Sequence, residues 1–263
     1  MVCAVARSGS NLFTDGLHAT RRAGRPKQFF LPKFEGEYGA KQGLDSTADF
    51  GAYVRGIVAS SSTCNEVFGF KVMAWYLEEF IDRLKKARIF GGPDASECTV
   101  LQAAFPRLRL VQIVRRNKLR QAISKAKALQ SGLWKVQEGN AAIREPVFDE
   151  ELITRCLEET LKDEQIWQDF FERNDLQPHP VEYEKLVQDF EGVIRGVLDF
   201  LRIRLPREAT ILPPSTVPQT DALSRDWEER YSALHPHATE VEPRSLGKAG
   251  GVVCDRIDGI SGR

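Results

Sequence analysis

Residues Val2 to Thr20 (VCAVARSGSNLFTDGLHAT) read as a short apolar strand, a tight turn at Arg7-Ser8-Gly9-Ser10, and an amphipathic helix opening near Asn11. A strand that feeds a helix through small residues makes an anion site. The turn leaves backbone N–H groups free, and the helix N-terminus adds positive potential. Gly9 lets the backbone approach a phosphate closely. Ser8, Ser10 and Asn11 add side-chain donors, and Arg7 adds a fixed charge that can fork onto two oxygens. The same residues also fit a plain loop with an N-cap. The G-x-x-x-x-G-K-[ST] spacing is absent, which disfavours an ordinary ATPase or GTPase.

The arrangement returns further along. Leu108 to Val114 (LRLVQIV) is the clearest buried strand, Arg115-Arg116-Asn117 follows at once, and a helix runs from Lys118 to Leu129, so a second anion turn is expected there. Between the two, Asn65 to Ala74 reads as a strand that carries Lys71 among apolar neighbours. Trp75 to Ala87 reads as a helix with Tyr76, Leu77, Phe80, Ile81 and Leu84 on one face. Gly24 and Pro26 break the first helix and open a loop, 23 to 39, with an unusual load of aromatics: Phe29, Phe30 and Phe34. Asp149 caps a long helix whose apolar stripe runs from Leu152 to Phe171. His179 reads as loop between two prolines, Val181-Glu182-Tyr183 as a short strand, and Glu184 to Leu201 as one helix. Ala222 to Ser232 reads as a last helix, anchored by Trp227 and Tyr231.

Alternating strands and helices predict an α/β fold, a three-layer sandwich with a mostly parallel central sheet. Ligands of such sheets bind at the carboxyl ends of the strands, where both anion turns fall. One domain over 1–232 is expected, followed by a tail, 233–263, in which Gly, Pro and charge dominate and order is poor. The 263 residues carry 37 basic and 37 acidic side chains, so no global field favours nucleic acid or an anionic membrane, and an anion site must be local. The apolar runs are too short to span a bilayer and the start lacks a signal-peptide pattern, so a cytoplasmic protein is the expectation. Five scattered cysteines without C-x-x-C spacing read as reduced thiols, mostly in the core, and no metal site is expected.

Two strand-end anion turns without a Walker lysine suit a ligand with two separated phosphates. In that respect the chain resembles sulfotransferases that use 3′-phosphoadenosine 5′-phosphosulfate (PAPS), and within them the bacterial trehalose sulfotransferase family. ARSGSNLF is similar to that family's phosphosulfate loop, PRSGSTLL; AGRPKQFF to its GxPxEFF loop; VFGFKVMAW to its GxK-aromatic strand. IVRRNKLRQAIS is similar to its 3′-phosphate motif, an Arg after a strand and a Ser nine residues later. LQSGLW, WQDFF, VEYEKL and PQTDALSRDWEERY follow in family order, so the resemblance covers 1 to 232.

The resemblance implies a P-loop-like sulfotransferase fold, PAPS as co-substrate, and a carbohydrate or glycolipid hydroxyl as acceptor. It implies that Arg7, Ser8, Gly9, Ser10 and Asn11 hold the 5′-phosphosulfate and that Arg115 and Ser124 hold the 3′-phosphate. It also implies that Lys71 sits near the transferred group, that Tyr183 lies near the nucleotide, and that a homodimer can form through variable loops. Trp134 could contact a ligand but reads better as core. In the family the Glu of GxPxEFF is taken as the general base on the acceptor. Here that position is Gln28, and a carboxamide orients a hydroxyl without accepting its proton. Glu35 or Glu37 is a stand-in only if the loop refolds. Other departures are Lys27 beside that site, Arg21 for a typical Gly, and Val217-Pro218 where a basic residue belongs near Gln219. An active enzyme and a PAPS-binding relative that has lost catalysis are therefore both on the table, with Arg7, Lys71 and Gln28 as the residues of the chemistry.

Overall fold

The computed structural model describes residues 1–134, 144–206, 208–214 and 222–236. Strands β1 (Val2–Ala4), β2 (Lys71–Met73), β3 (Val111–Val114) and β4 (His179–Glu182) form one sheet of order β2-β1-β3-β4. Every pairing is parallel, with Val2 beside both Lys71 and Val111, and Val111 beside His179. The central strand is buried throughout, as a sheet covered by helices on its faces requires. The expected α/β fold is what forms.

The helices are α1 (Ser10–Ala19), α2 (Pro32–Ala40), α3 (Phe50–Ser61), α4 (Leu77–Lys86), α5 (Glu97–Ala104), α6 (Lys118–Ser131) and α7 (Glu150–Arg173). They continue with α8 (Tyr183–Gln188), α9 (Phe190–Phe200) and α10 (Ala222–Leu234). Local chemistry sets their ends. Asn117 caps α6 by accepting from the Arg120 N–H at 2.8 Å, and Gly132 closes it with φ 73°. Asp149 caps α7 by accepting from the Leu152 N–H at 2.9 Å, as its side chain predicts. One core gathers around the sheet. A smaller one joins Leu119, Ala122, Ile123 and Ala126 of α6 to Ile153, Cys156 and Leu157 of α7 and to Trp227 and Tyr231 of α10.

Several local readings change. Part of the aromatic loop is helix α2, entered through Pro32 at its first turn, where proline starts a helix rather than breaking one. The expected 184–201 helix is two helices. Asp189 stops α8 and caps α9 by accepting from the Gly192 N–H at 2.9 Å. His179 is the first residue of β4, its ring stacked on Phe200 at 4.5 Å. Pro180 is tolerated there because β4 is an edge strand, where a missing N–H leaves no ladder bond unmade. Tyr183 follows that strand and opens α8. The strands around Lys71 and Ile113 are shorter than the apolar runs that contain them. Cys64 is exposed, whereas Cys3 and Cys156 are buried; burial pushes the Cys3 thiol up to about 12. No helix among the described residues is long and apolar enough to cross a membrane. From residue 237 on, the expected tail lies outside the described residues, as does the Val217–Gln219 segment.

The topology fixes where a ligand can sit. From β1 the chain crosses to β2 on one side and later to β3 on the other. The carboxyl ends of β1 and β3 therefore flank the switch point of the sheet, where a crevice opens. Arg7 follows β1 and Arg115 follows β3. On the outer side of β2, Lys27 bridges Phe70 in parallel, and its carbonyl accepts from the Lys71 N–H at 2.9 Å. That bridge seats the Gly24-to-Phe30 segment on the sheet. Gly24 has φ 76°, and a Cβ there would lie 2.3 Å from the Gly69 nitrogen, so the turn admits only glycine. Phe29 and Phe30 are buried, Phe30 stacks on Phe80 at 5.0 Å, and the Tyr53 hydroxyl donates to the Phe29 carbonyl at 2.7 Å. The aromatic load of this loop is thus spent on anchoring it.

Candidate active site

The turn after β1 is held in an unusual conformation. Arg7 has φ 62° and Gly9 φ 86°, both left-handed, and the Ser8 N–H donates to the Val5 carbonyl at 3.3 Å. Left-handed residues between helical ones turn successive N–H groups to one side and form an anion-binding concavity. Gly9 is the N-cap of α1, and no side chain caps that terminus. A Cβ on Gly9 would lie 2.2 Å from Cδ2 of Tyr183. The glycine therefore serves two needs, its φ and the close approach of the tyrosine ring. Arg7 at φ 62° pays a backbone cost, since a non-glycine residue is uncommon there.

Two arginines converge on this turn. The Arg7 Nε donates to the Ser124 hydroxyl at 2.9 Å, and its Nη1 donates to the Trp134 carbonyl. Arg115 is buried, its guanidinium lies 4.7 Å from the centre of the Tyr183 ring, and its Nη1 donates to the Arg7 carbonyl at 3.4 Å. Burial lowers the pKa of Arg7 to about 10, with the nearby Arg115 charge as the next cause. Arg115 is shifted down as well, chiefly by burial. Both stay charged at neutral pH. A buried arginine beside a half-buried one whose charge it disfavours forms a site that an anion would stabilise. Ser8 Oγ and Arg115 Nε are buried donors without a hydrogen-bond partner, and such groups are costly unless something fills them. Arg7, Ser8, Gly9, Arg115, Ser124 and Tyr183 thus come together around this turn. Lys71 joins from β2: its ammonium donates to Asn11 Oδ1 at 2.6 Å and to Ser10 Oγ at 3.4 Å, at the first turn of α1.

The second turn differs from expectation. Its amides are taken: Glu184 accepts from the N–H groups of Arg116 at 3.1 Å and Asn117 at 3.2 Å. A carboxylate of the chain itself thus occupies the main-chain amides where the sequence placed an anion. Glu184 was read only as helix, because carboxylates one residue into a helix are common. Two further residues escaped the sequence. Lys118 is buried and donates to the Arg115 carbonyl and to Glu164. Gln121, fully buried, donates to the Ala6 carbonyl at 2.7 Å.

The acceptor side also brings corrections. The bridge at Lys27 brings Gln28 level with Lys71. Gln28 is half-buried, and among the described residues its side chain makes no hydrogen bond. With the loop as it stands, Glu35 is engaged elsewhere. It is 3% exposed and committed to Arg83 through two bonds of 2.6 and 2.8 Å, with the same guanidinium 3.8 Å over the Phe50 ring. Glu37 is exposed and paired with Lys41 at 3.5 Å. Trp134 is 47% exposed rather than core. Breaking a buried pair leaves a charge unmatched, so Glu35→Gln is expected to lower unfolding stability by about 3 kcal/mol. Urea melts measure that, and a stability equal to wild type would mean that Arg83 holds itself.

The model of the Stf0 sulphotransferase family matches residues 1–233. The chain belongs to that family. Its relatives include two sulfotransferases of known acceptor. The trehalose 2-sulfotransferase of Mycobacterium tuberculosis (Erdman strain) is 23% identical over 258 residues, covering 90% of this chain and 95% of its own. That of Mycolicibacterium smegmatis is 24% identical over 264 residues, covering 88% and 93%. As an Stf0 sulphotransferase the chain is placed among enzymes that transfer a sulfuryl group, and the two arginines flanking the switch point lie within the matched span.

Proposed function

We propose that the chain is a PAPS-dependent sulfotransferase acting on a sugar or glycolipid hydroxyl, as its relatives' names suggest for trehalose. The observation that carries this reading is the Arg7–Ser124–Arg115 cluster, a half-buried and a buried cation with the unfilled donors of Ser8 and Arg115 at the switch point. The donor supplies an activated sulfuryl group whose leaving group is the nucleotide's 5′-phosphate. Ser8, Ser10 and the amides of the first turn of α1 bind the phosphosulfate, and Arg115 with Ser124 binds the 3′-phosphate. Tyr183, flat against Gly9 and Arg115, lines the nucleotide. Arg7 and Lys71 stabilise charge that grows on the leaving and equatorial oxygens. The acceptor oxygen bonds to sulfur as the bond from sulfur to the phosphate oxygen breaks. Gln28 orients the hydroxyl, whose proton passes to water or to the departing phosphate. The nucleotide domain spans 1–232, and the site is in the cytoplasm.

A second reading has one observation behind it. Gln28 stands in the base position, and the nearest expected substitute, Glu35, is bound to Arg83. A catalytically impaired relative that binds the nucleotide as a sensor or scaffold would look like this.

Calorimetric binding of 3′-phosphoadenosine 5′-phosphate tests the site itself. Arg115→Ala is expected to weaken it by about 1.5–3 kcal/mol, the range for hydrogen bonds to a charged group. Adenosine 5′-phosphate, which lacks the 3′-phosphate, is expected to bind the variant as it binds the wild type. Equal losses for both would remove Arg115 from the 3′ end. PAPS turnover with trehalose and a panel of sugars then separates enzyme from scaffold.

A further inference from the structure

On α6, Lys118, Gln121 and Ser124 recur every three residues and so share one face. Each holds a different part of the two turns: Lys118 takes the Arg115 carbonyl, Gln121 the Ala6 carbonyl, and Ser124 the Arg7 side chain. Ser124 and Lys118 have partners that carry charge. Gln121 is neutral, 0% exposed, and bonded to the main chain one residue before Arg7.

We propose that Gln121 is the positioning residue of the β1–α1 loop, holding Arg7 in the left-handed conformation that aims its guanidinium across the crevice. This rests on the sulfotransferase reading for its link to catalysis, but not for the geometry. The Ala6 carbonyl can only accept, so the NH2 end of Gln121 must face it. That fixes the amide's orientation and leaves Oε1 buried without a partner. A buried amide that keeps one unfilled acceptor is costly, and a side chain selected for packing alone would be apolar. Arg7 meanwhile keeps φ 62°, a conformation that persists only where its surroundings over-determine it. The contacts on that segment include the Ser8 N–H on the Val5 carbonyl and Arg7 Nη1 on the Trp134 carbonyl, and with them the Gln121 bond before Arg7, the Arg115 bond to the Arg7 carbonyl, and the Arg7 side chain on Ser124. Of these, the Arg115 and Ser124 contacts draw on groups that a nucleotide phosphate would also use. The Gln121 bond involves a main-chain carbonyl and can stay made in both states.

The test uses the full chain with Gln121→Met, which keeps length and suits burial, and Gln121→Leu, which keeps an apolar side chain of similar bulk; neither has a donor for the Ala6 carbonyl. Hydrogen exchange of the amides from Arg7 to Ser10 is measured without ligand, beside a thermal melt. Transfer is followed at saturating PAPS. Both variants are expected to exchange at least tenfold faster in this segment with other segments unchanged, and kcat is expected to fall more than KM for PAPS rises. A purely structural role would lower the melting temperature and raise exchange throughout, and that result overturns the proposal. Unchanged exchange in the loop overturns it too. If the wild type binds and turns over no PAPS, the sulfotransferase reading fails, while the loop exchange still decides the role of Gln121.

Discussion

Gln28→Glu is expected to raise the rate of sulfuryl transfer by roughly 10²-fold or more, within the range that a positioned general base supplies. Position 28 is well suited to the exchange. Its neighbours Phe29 and Phe30 are buried, Gly24 and the Lys27 bridge fix the loop to the sheet, and the side chain has no hydrogen bond to lose among the described residues. A carboxylate of nearly the same shape therefore enters a site whose packing stays as it is. The rate should rise with pH through one acidic ionisation, because the acid form cannot take a proton. Product formation against pH, for wild type and variant with the same sugars, is the measurement. A fast wild type that the substitution slows would show that Gln28 is no vacated base position and that the proton leaves by another path.

Arg7→Ala is the second large effect. Removing a group that stabilises transition-state charge costs about 10²–10³-fold in kcat, and the nucleotide should lose much less in binding, since the charge on the leaving oxygen grows only as the bond breaks. The bond from Arg7 Nε to Ser124 at 2.9 Å makes the alternative concrete. If Arg7 serves the 3′-phosphate beside Ser124, the loss will fall on binding of 3′-phosphoadenosine 5′-phosphate and spare adenosine 5′-phosphate, with kcat kept at saturation. Single-turnover rates together with both dissociation constants tell the two roles apart.

The alternation of apolar runs and amphipathic helices made the parallel sheet readable, and with it the carboxyl edge and the two turns. Arg7 and Arg115 stood out because each directly follows a strand, whereas Ser124 came only from the resemblance. What escaped depends on contacts across the fold. Gln121 is 115 positions from its partner Ala6, and nothing in a helical QAIS distinguishes a clamp from a surface amide. The pairing of Glu35 with Arg83 spans two helices, so the carboxylate looked available. The break at Asp189 lies inside a continuous amphipathic pattern, where periodicity outweighs a single capping residue. Pro180 misled in the opposite direction: beside Pro178 it made His179 read as loop, yet it sits on an edge strand where its missing N–H has no bond to make.

The Glu184 carboxylate on the amides of Arg116 and Asn117 divides the two ends of the crevice by how they can change. At the β1–α1 turn the donors are largely main chain, and no codon change deletes a peptide N–H other than to proline. At the β3–α6 turn the main chain is already sealed by the protein's own acid, leaving Arg115 and Ser124 to meet a ligand. On the proposed reading, recognition at the phosphosulfate end is inherited with the fold, whereas preference at the 3′ end rests on two exchangeable side chains. A library confined to Arg115, Ser124 and Glu184 would then be the shortest route to a variant that accepts a different nucleotide.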